Sequence, residues 1–216
     1  MTAAAEWLNT VFHNFDYSVL EAFHNLHDSS VGVLLEPFFN FISLIGEKGI
    51  FLIIISSIML LFKKTRKVGA VMLGGIAIGG LITNITVKPF VDRPRPYANR
   101  EWDVYQWWIN AGRHMEIDSS FPSGHTTSVT GAMTGLFFTG DKRYSWTAFF
   151  FALLMGMSRI FLCVHYPSDV FGGYVAGFTA GLISALIGNW FYKRDDLKFN
   201  KMIIELDFFK SFKKSK

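Results

Sequence analysis

The chain has 216 residues, of which 50% are hydrophobic, 17% aromatic and only 18% charged, with a formal net charge of +4. That length suits one domain or two, and the balance excludes an ordinary soluble globular protein. The basic residues fall in short clusters beside apolar runs, as membrane topology signals do, so no nucleic-acid partner is expected. A single cysteine, Cys163, excludes an internal disulfide and a cysteine metal cluster; inside an apolar run it reads as a small buried hydrophobe.

From Met1 to His27 apolar residues alternate with Glu6, Asn9, His13, Asp16, Glu21 and His24, and no positive n-region precedes them. The segment reads as an amphipathic helix, at an interface or capping a bundle, rather than as a cleavable signal peptide. Val31 to Ile45 is apolar but interrupted by Glu36 and Pro37, and is shorter than the roughly 20 residues of a spanning helix. It is expected to be interfacial or partly inserted, or else a sixth span. The first of five spans is Gly49 to Phe62, ended by KKTRK (Lys63 to Lys67), whose four positive charges belong on the cytoplasmic side.

Val68 to Val87 is the second span, with Gly74, Gly75, Gly79 and Gly80 permitting close helix contact. Lys88 to Phe121 is a polar connection with Trp102, Tyr105, Trp107 and Trp108, which reads as a lid, a membrane-surface rim or an interfacial aromatic belt. His125 to Thr139, Tyr144 to Val164 and Pro167 to Tyr192 complete the spans. The tail from Lys193 to Lys216 carries eight Lys and Arg and is expected to touch anionic lipid on the cytoplasmic side, or to be solvated chain. The fold class is therefore an all-α polytopic membrane bundle of five spans, or six. Residues 1–45 form N-terminal amphipathic helices, 46–192 a transmembrane domain and 193–216 a basic tail. Counting spans from KKTRK places the long connection outward and the Lys142-Arg143 turn and tail inward.

Three stretches carry ionisable residues where a bilayer edge makes them costly: KPFVDRPRP (Lys88 to Pro96), FPSGH (Phe121 to His125) and SRIFLCVHYPSD (Ser158 to Asp169). They supply Lys88, Arg95 and Arg159 as cations, Ser123 as a hydroxyl donor, and His125 and His165 as groups that move protons near neutral pH. Alone, each of these is ordinarily a snorkelling or packing residue; gathered on one side, they are the inventory of phosphoryl transfer. Pro167 suits a first helical turn, which puts His165 at a helix mouth and Asp169 within reach of an imidazole hydrogen bond. Pro122 similarly precedes a helix opening at Ser123-Gly124-His125, where free N–H groups favour a phosphate and glycine allows close approach.

The spacing of Lys88, six residues, Arg95-Pro96, then Pro122-Ser123-Gly124-His125, then Ser158-Arg159, five residues, His165, three residues, Asp169 resembles the three-part signature of the type 2 phosphatidic acid phosphatase family. The resemblance covers Lys88 to Asp169. It implies that His165 attacks phosphorus to form a phosphohistidine, that Asp169 aligns it, and that His125 serves as acid and base. Lys88, Arg95, Ser123, Gly124 and Arg159 would bind the phosphate, and no metal or other cofactor is implied. Arg93 lies inside the first block but outside the signature, and is expected to help bind phosphate or to meet lipid headgroups. His13, His24 and His27 read as surface groups.

The expected function is that of a multi-pass cell-membrane phosphatase acting on a lipid phosphate at the extracytoplasmic face. Candidate substrates are undecaprenyl pyrophosphate, phosphatidylglycerol phosphate and phosphatidic acid, with a lean toward the pyrophosphate carrier. A phosphotransferase would use the same intermediate with an acceptor other than water. A transporter would place ionisable residues deep inside several spans, whereas here they gather at one face.

Overall fold

The computed structural model describes residues 1–194. The expected lipid-touching tail therefore lies, beyond Arg194, outside the described residues. Ten α-helices follow in order: α1 (Ala3–Val11), α2 (His13–His27), α3 (Gly32–Ile45), α4 (Ile50–Leu61), α5 (Arg66–Gly80), α6 (Lys88–Val91), α7 (Asp103–Asn110), α8 (Gly124–Thr139), α9 (Thr147–Phe161) and α10 (Pro167–Tyr192). All five apolar stretches are helical. Two continuous runs, Arg66–Ala98 and Pro167–Tyr192, are long and apolar enough to cross a bilayer, and α2 with α3 form a pair bent by 116° that would make a third crossing. The apolar helices α4 and α9 are shorter, at 12 and 15 residues.

The second predicted span does not stop at Val87. A π-helical stretch, Leu81–Val87, carries α5 directly into α6. The run thereby delivers Lys88 from within a helix rather than from a loop. Within the run, α6 is capped by Asp92, whose left-handed φ of 47° turns the chain into the extended Arg95. π-helical turns are found mostly at functional sites.

The core is α8, with α5 antiparallel on one side and α10 parallel on another. A Cβ on Gly75 would lie 2.4 Å from the Gly131 carbonyl oxygen, and one on Gly131 would lie 2.7 Å from that of Gly75. Backbone therefore meets backbone, the close packing by which helices associate where lipid supplies no hydrophobic drive. Of the four glycines expected to allow close contact, Gly75 and Gly79 face α8, Gly74 meets the Ser184 side chain, and Gly80 faces open space.

These directions bring the end of α5–α6, the start of α8, the end of α9 and the start of α10 together at one end of the bundle. KKTRK, the Lys142-Arg143 turn and Lys193 lie at the other. Arg66 of KKTRK is turned inward, where its Nε donates to the Leu60 carbonyl at 2.8 Å and caps α4. At the motif end, the aromatic connection is packed rather than open. Trp108 is buried, stacked on Tyr97 with ring centroids 4.3 Å apart, while Trp107 stacks on His24 at 4.7 Å and Trp102 lies against Tyr17 and His13. His24 is thus a half-buried partner of these tryptophans and His27 lies half-buried against Phe161, so neither is a plain surface group, whereas His13 is exposed as expected.

Gly131→Val should destabilise the detergent-solubilised protein by upward of about 3 kcal/mol, since the helices cannot separate without losing the rest of their contact. Gly80→Ala should change stability by less than about 1 kcal/mol. Thermal unfolding of both variants checks the pair.

Candidate active site

Asp169 joins the three motif blocks. It sits at the third position of α10, where Pro167 opens the helix and Oδ2 accepts the Tyr166 N–H at 2.9 Å. Its backbone carbonyl accepts the Ser123 N–H at 3.0 Å, and Oδ1 accepts Arg93 Nη1 at 2.6 Å. Oδ2 also accepts the Ser120 hydroxyl at 2.5 Å. The carboxylate is fully buried and thus held by three donors, as a buried charge must be.

His165 lies in the turn between α9 and α10, beside Cys163, whose φ of 52° tightens that turn. The expected direct hydrogen bond from imidazole to Asp169 is not formed: Nδ1 and Oδ2 are 3.6 Å apart, too far for one. Ser120 stands between them, its hydroxyl 3.4 Å from Nδ1. On the other side of the ring, Arg95 Nη1 lies 3.2 Å from Nε2. Arginine can only donate, so Nε2 is the acceptor and the ring proton is assigned to Nδ1. The relay then runs from His165 through Ser120 to Asp169. Burial, and after it the charges of Arg95, Arg159 and Lys88, push the imidazole well below its ordinary value, so it rests neutral.

His165 lines a cavity of about 280 Å³ together with Lys88, Arg95, Gly124, His125, Glu116 and Asp118, whereas Arg159 is not among its lining residues. A Cβ on Gly124 would project into it, 3.8 Å from Lys88 Nζ. Ser123 is placed differently from the expectation of a phosphate-facing donor. It is the N-cap of α8, accepting from Thr126 N at 3.4 Å and Thr126 Oγ1 at 2.9 Å, and it does not line the cavity. Arg93 is not a lining residue of this cavity either; it is 1% exposed and borders a separate pocket of about 440 Å³ with Asn9, Asp16 and Tyr166.

The cations do not stand free. Lys88 bonds Asp118, and Arg95 bonds the same carboxylate at 2.5 Å and the Asp118 carbonyl at 2.9 Å. Arg159 bonds Glu116 and Ser43, and Glu116 lies 3.9 Å from His125 Nδ1. Two carboxylates from the connection before α8 therefore satisfy these three cations. Burial raises the Asp118 carboxyl, but the hydrogen bonds and charges of Lys88 and Arg95 outweigh it and hold the group at about 2. Ser120, Glu116, Asp118 and the partners of Arg93 were missed by sequence reasoning. Only Arg93 carried a signal, a fourth cation within a motif block.

Residues 69–193 match the family described as the PAP2 superfamily. The chain belongs to that superfamily. Over 184 residues it is 30% identical to undecaprenyl-diphosphatase BcrC of Bacillus subtilis (strain 168), covering 84% of this chain and 85% of the relative. Lipid A 1-phosphatase of Rhizobium etli is 32% identical over 120 residues, 56% of this chain and 50% of that protein. Among solved structures, LpxE of Aquifex aeolicus superposes with a TM-score of 0.60 at 26% identity, covering 76% of this chain and 93% of that one. A PAP2-type phosphatidylglycerolphosphate phosphatase of Bacillus subtilis shares the fold, with a TM-score of 0.64 at 22% identity, covering 87% and 91%. This PAP2 protein is accordingly a multi-pass membrane lipid phosphatase.

Removing the competing carboxylate should strengthen oxyanion binding. Asp118→Asn is expected to bind orthovanadate or inorganic phosphate about tenfold more tightly, equivalent to about 1.4 kcal/mol. A titration followed by thermal stabilisation measures this, and unchanged affinity would show that Asp118 does not compete for the site.

Proposed function

We propose that this PAP2 phosphatase hydrolyses a lipid pyrophosphate, an undecaprenyl-type carrier, at the outer leaflet through a phosphohistidine on His165. One observation carries the reading: His165 lines a cavity with Lys88, Arg95 and His125, its Nε2 beside Arg95, while Nδ1 turns toward Ser120 and Asp169. The reactive nitrogen is thus aimed and the opposite one is held, which is the arrangement of a nucleophile with its orienting group.

In the first step Nε2 exchanges its contact with Arg95 for the terminal phosphorus. The N–P bond forms as the bridging P–O bond breaks, and His125 gives its proton to the departing lipid monophosphate. Lys88, Arg95, Arg159 and the N–H groups at the mouth of α8 receive the charge on the equatorial oxygens; Ser123 fixes that mouth by capping it. In the second step His125 takes a proton from water, the oxygen attacks phosphorus, the N–P bond breaks and inorganic phosphate leaves. Asp169, through Ser120, supports the cationic ring of the intermediate. None of these steps calls on a metal ion.

The choice of substrate is supported by the relative named undecaprenyl-diphosphatase, which matches most of both chains. The outward site is supported by charge: KKTRK, the Lys142-Arg143 turn and the tail hold 14 of the 21 Lys and Arg.

Phosphate release from a panel of lipid pyrophosphates and monophosphates, with EDTA present, tests the reaction, substrate and metal need together. His165→Ala should abolish turnover, and His125→Ala should slow it by about 10²–10⁴-fold; near-normal hydrolysis by folded His165→Ala would sink the mechanism. The pH dependence follows from His165. A lowered value means the attacking neutral form persists at pH 6 and is lost only as pH falls through that value, so the acid limb of kcat/KM should lie below 6.5. The side of the membrane is open to thiol labelling. Asn99→Cys should react with an impermeant reagent in intact cells, and Arg143→Cys only after the cells are opened; both positions are exposed and native Cys163 is buried. The reverse pattern would place hydrolysis in the cytoplasm.

A further inference from the structure

Arg93 and Asp16 form a buried ion pair behind the active site. Each is 1% exposed. Arg93 spends every arm of its guanidinium: Nη1 on Asp169 at 2.6 Å and on Ser168 Oγ at 2.7 Å, Nη2 on Asp16 at 2.8 Å, and Nε on Asn9 at 2.8 Å. Its plane lies over the Tyr166 ring, 3.8 Å from the centroid. Asp16 in turn accepts the Ser168 N–H at 2.8 Å and the Ser168 hydroxyl at 2.7 Å, which ties α2 to the first turn of α10.

Charge explains why two carboxylates are needed. An arginine bonded to Asp169 alone would cancel its charge, leaving a neutral pair behind His165. With Asp16 added, the cluster of one guanidinium and two carboxylates carries a net charge of −1 on side chains no more than 1% exposed, where solvent screening is weaker than at the surface. His165 is the group that becomes cationic when it is phosphorylated. Its other charged or titratable neighbours are Lys88 from α6, Arg95 from the segment after it, Arg159 from α9, Glu116 and Asp118 from the connection, and His125 from α8. The cations among them disfavour a positive ring, so the negative cluster works against them.

Resting on the phosphohistidine reading above, we propose that Arg93 and Asp16 are positioning residues, Arg93 fixing the Asp169 carboxylate and Asp16 restoring the negative charge that supports the cationic His165 intermediate. The N-terminal helices α1 and α2, through Asn9 and Asp16, then belong to the catalytic apparatus and are not merely a membrane-surface attachment.

The variants compared are Asp16→Asn, Asp16→Glu, and the pair Arg93→Gln with Asp16→Asn, all in the full chain in detergent. Asp16→Asn removes one negative charge, so kcat should fall about tenfold or more with KM within about twofold, and the acid limb should move down by about one pH unit. Asp16→Glu should retain more activity. The double variant removes one charge of each sign and returns the cluster to −1, so its acid limb should return toward that of the unaltered protein even if its rate does not. A lower rate with an unmoved limb in Asp16→Asn would mark a structural role only and overturn the proposal, as would a double variant no nearer the original than the single one. ¹⁵N NMR of the His165 ring, without substrate, reads the same effect independently of turnover. The unaltered protein should hold the Nδ1–H tautomer, and Asp16→Asn should weaken that proton's hydrogen bond and move it upfield. An unmoved Nδ1–H resonance overturns the proposal. Absence of hydrolysis in the unaltered protein overturns the phosphatase mechanism instead.

Discussion

Everything at the motif end of this bundle depends on burying the Asp169 carboxylate with all its hydrogen bonds made. An isolated carboxylate in such surroundings would be expelled or neutralised, and one missing partner would leave a charge whose cost exceeds that of a typical mutation. Its donors come from Tyr166 in the same turn, Ser120 before α8 and Arg93 after α6, while its backbone carbonyl fixes the N-cap of α8. One residue therefore sets the spacing of three chain segments. The site is rigid because its orienting carboxylate is also a structural joint.

That joint explains which parts were legible in the sequence. Helix starts were readable because their causes are local: Pro167 and the capping Ser123 act on the residues immediately following them. The gathering of Lys88, Arg95, His125, Arg159 and His165 was readable from motif order and from the alternation of span directions. Ser120 was not, because a serine acquires a relay role only when His165 and Asp169, more than 40 positions away, arrive on either side of it. Nor was the pairing of Arg93 with Asp16, separated by 77 positions and joined only by the docking of α2. The packing of the aromatic connection on α2 was not readable for a related reason. Tryptophans that mark a bilayer interface and tryptophans that pack on a neighbouring helix have the same composition, and only the position of α2 distinguishes them.

The cavity itself shows a second electrostatic balance. Lys88, Arg95 and Arg159 would repel one another if left unpaired, and Glu116 and Asp118 relieve that repulsion without filling the cavity, whose lining includes Lys88 and Arg95 but not Arg159. The same carboxylates are in competition with any phosphate that enters. Between them Ile117 is fully exposed, so the segment is anchored by its charges and not by its apolar side chain. A doubly charged phosphate would accept hydrogen bonds from the same donors that the two carboxylates now satisfy.

The glycine contacts between α5 and α8 allow no adjustment, and through them the positions of Lys88 and His125 are fixed relative to each other. Asp169 fixes His165 on the same frame. The connection that supplies Glu116 and Asp118 is joined to this frame by ion pairs and also by hydrogen bonds of its backbone with Tyr97, Arg95 and Arg93 and of Ser119 with the Lys88 carbonyl. His165 at the mouth of α10 and His125 in the first turn of α8 thus sit on the packed frame, while Glu116 and Asp118 reach the cavity from the connection between α7 and α8.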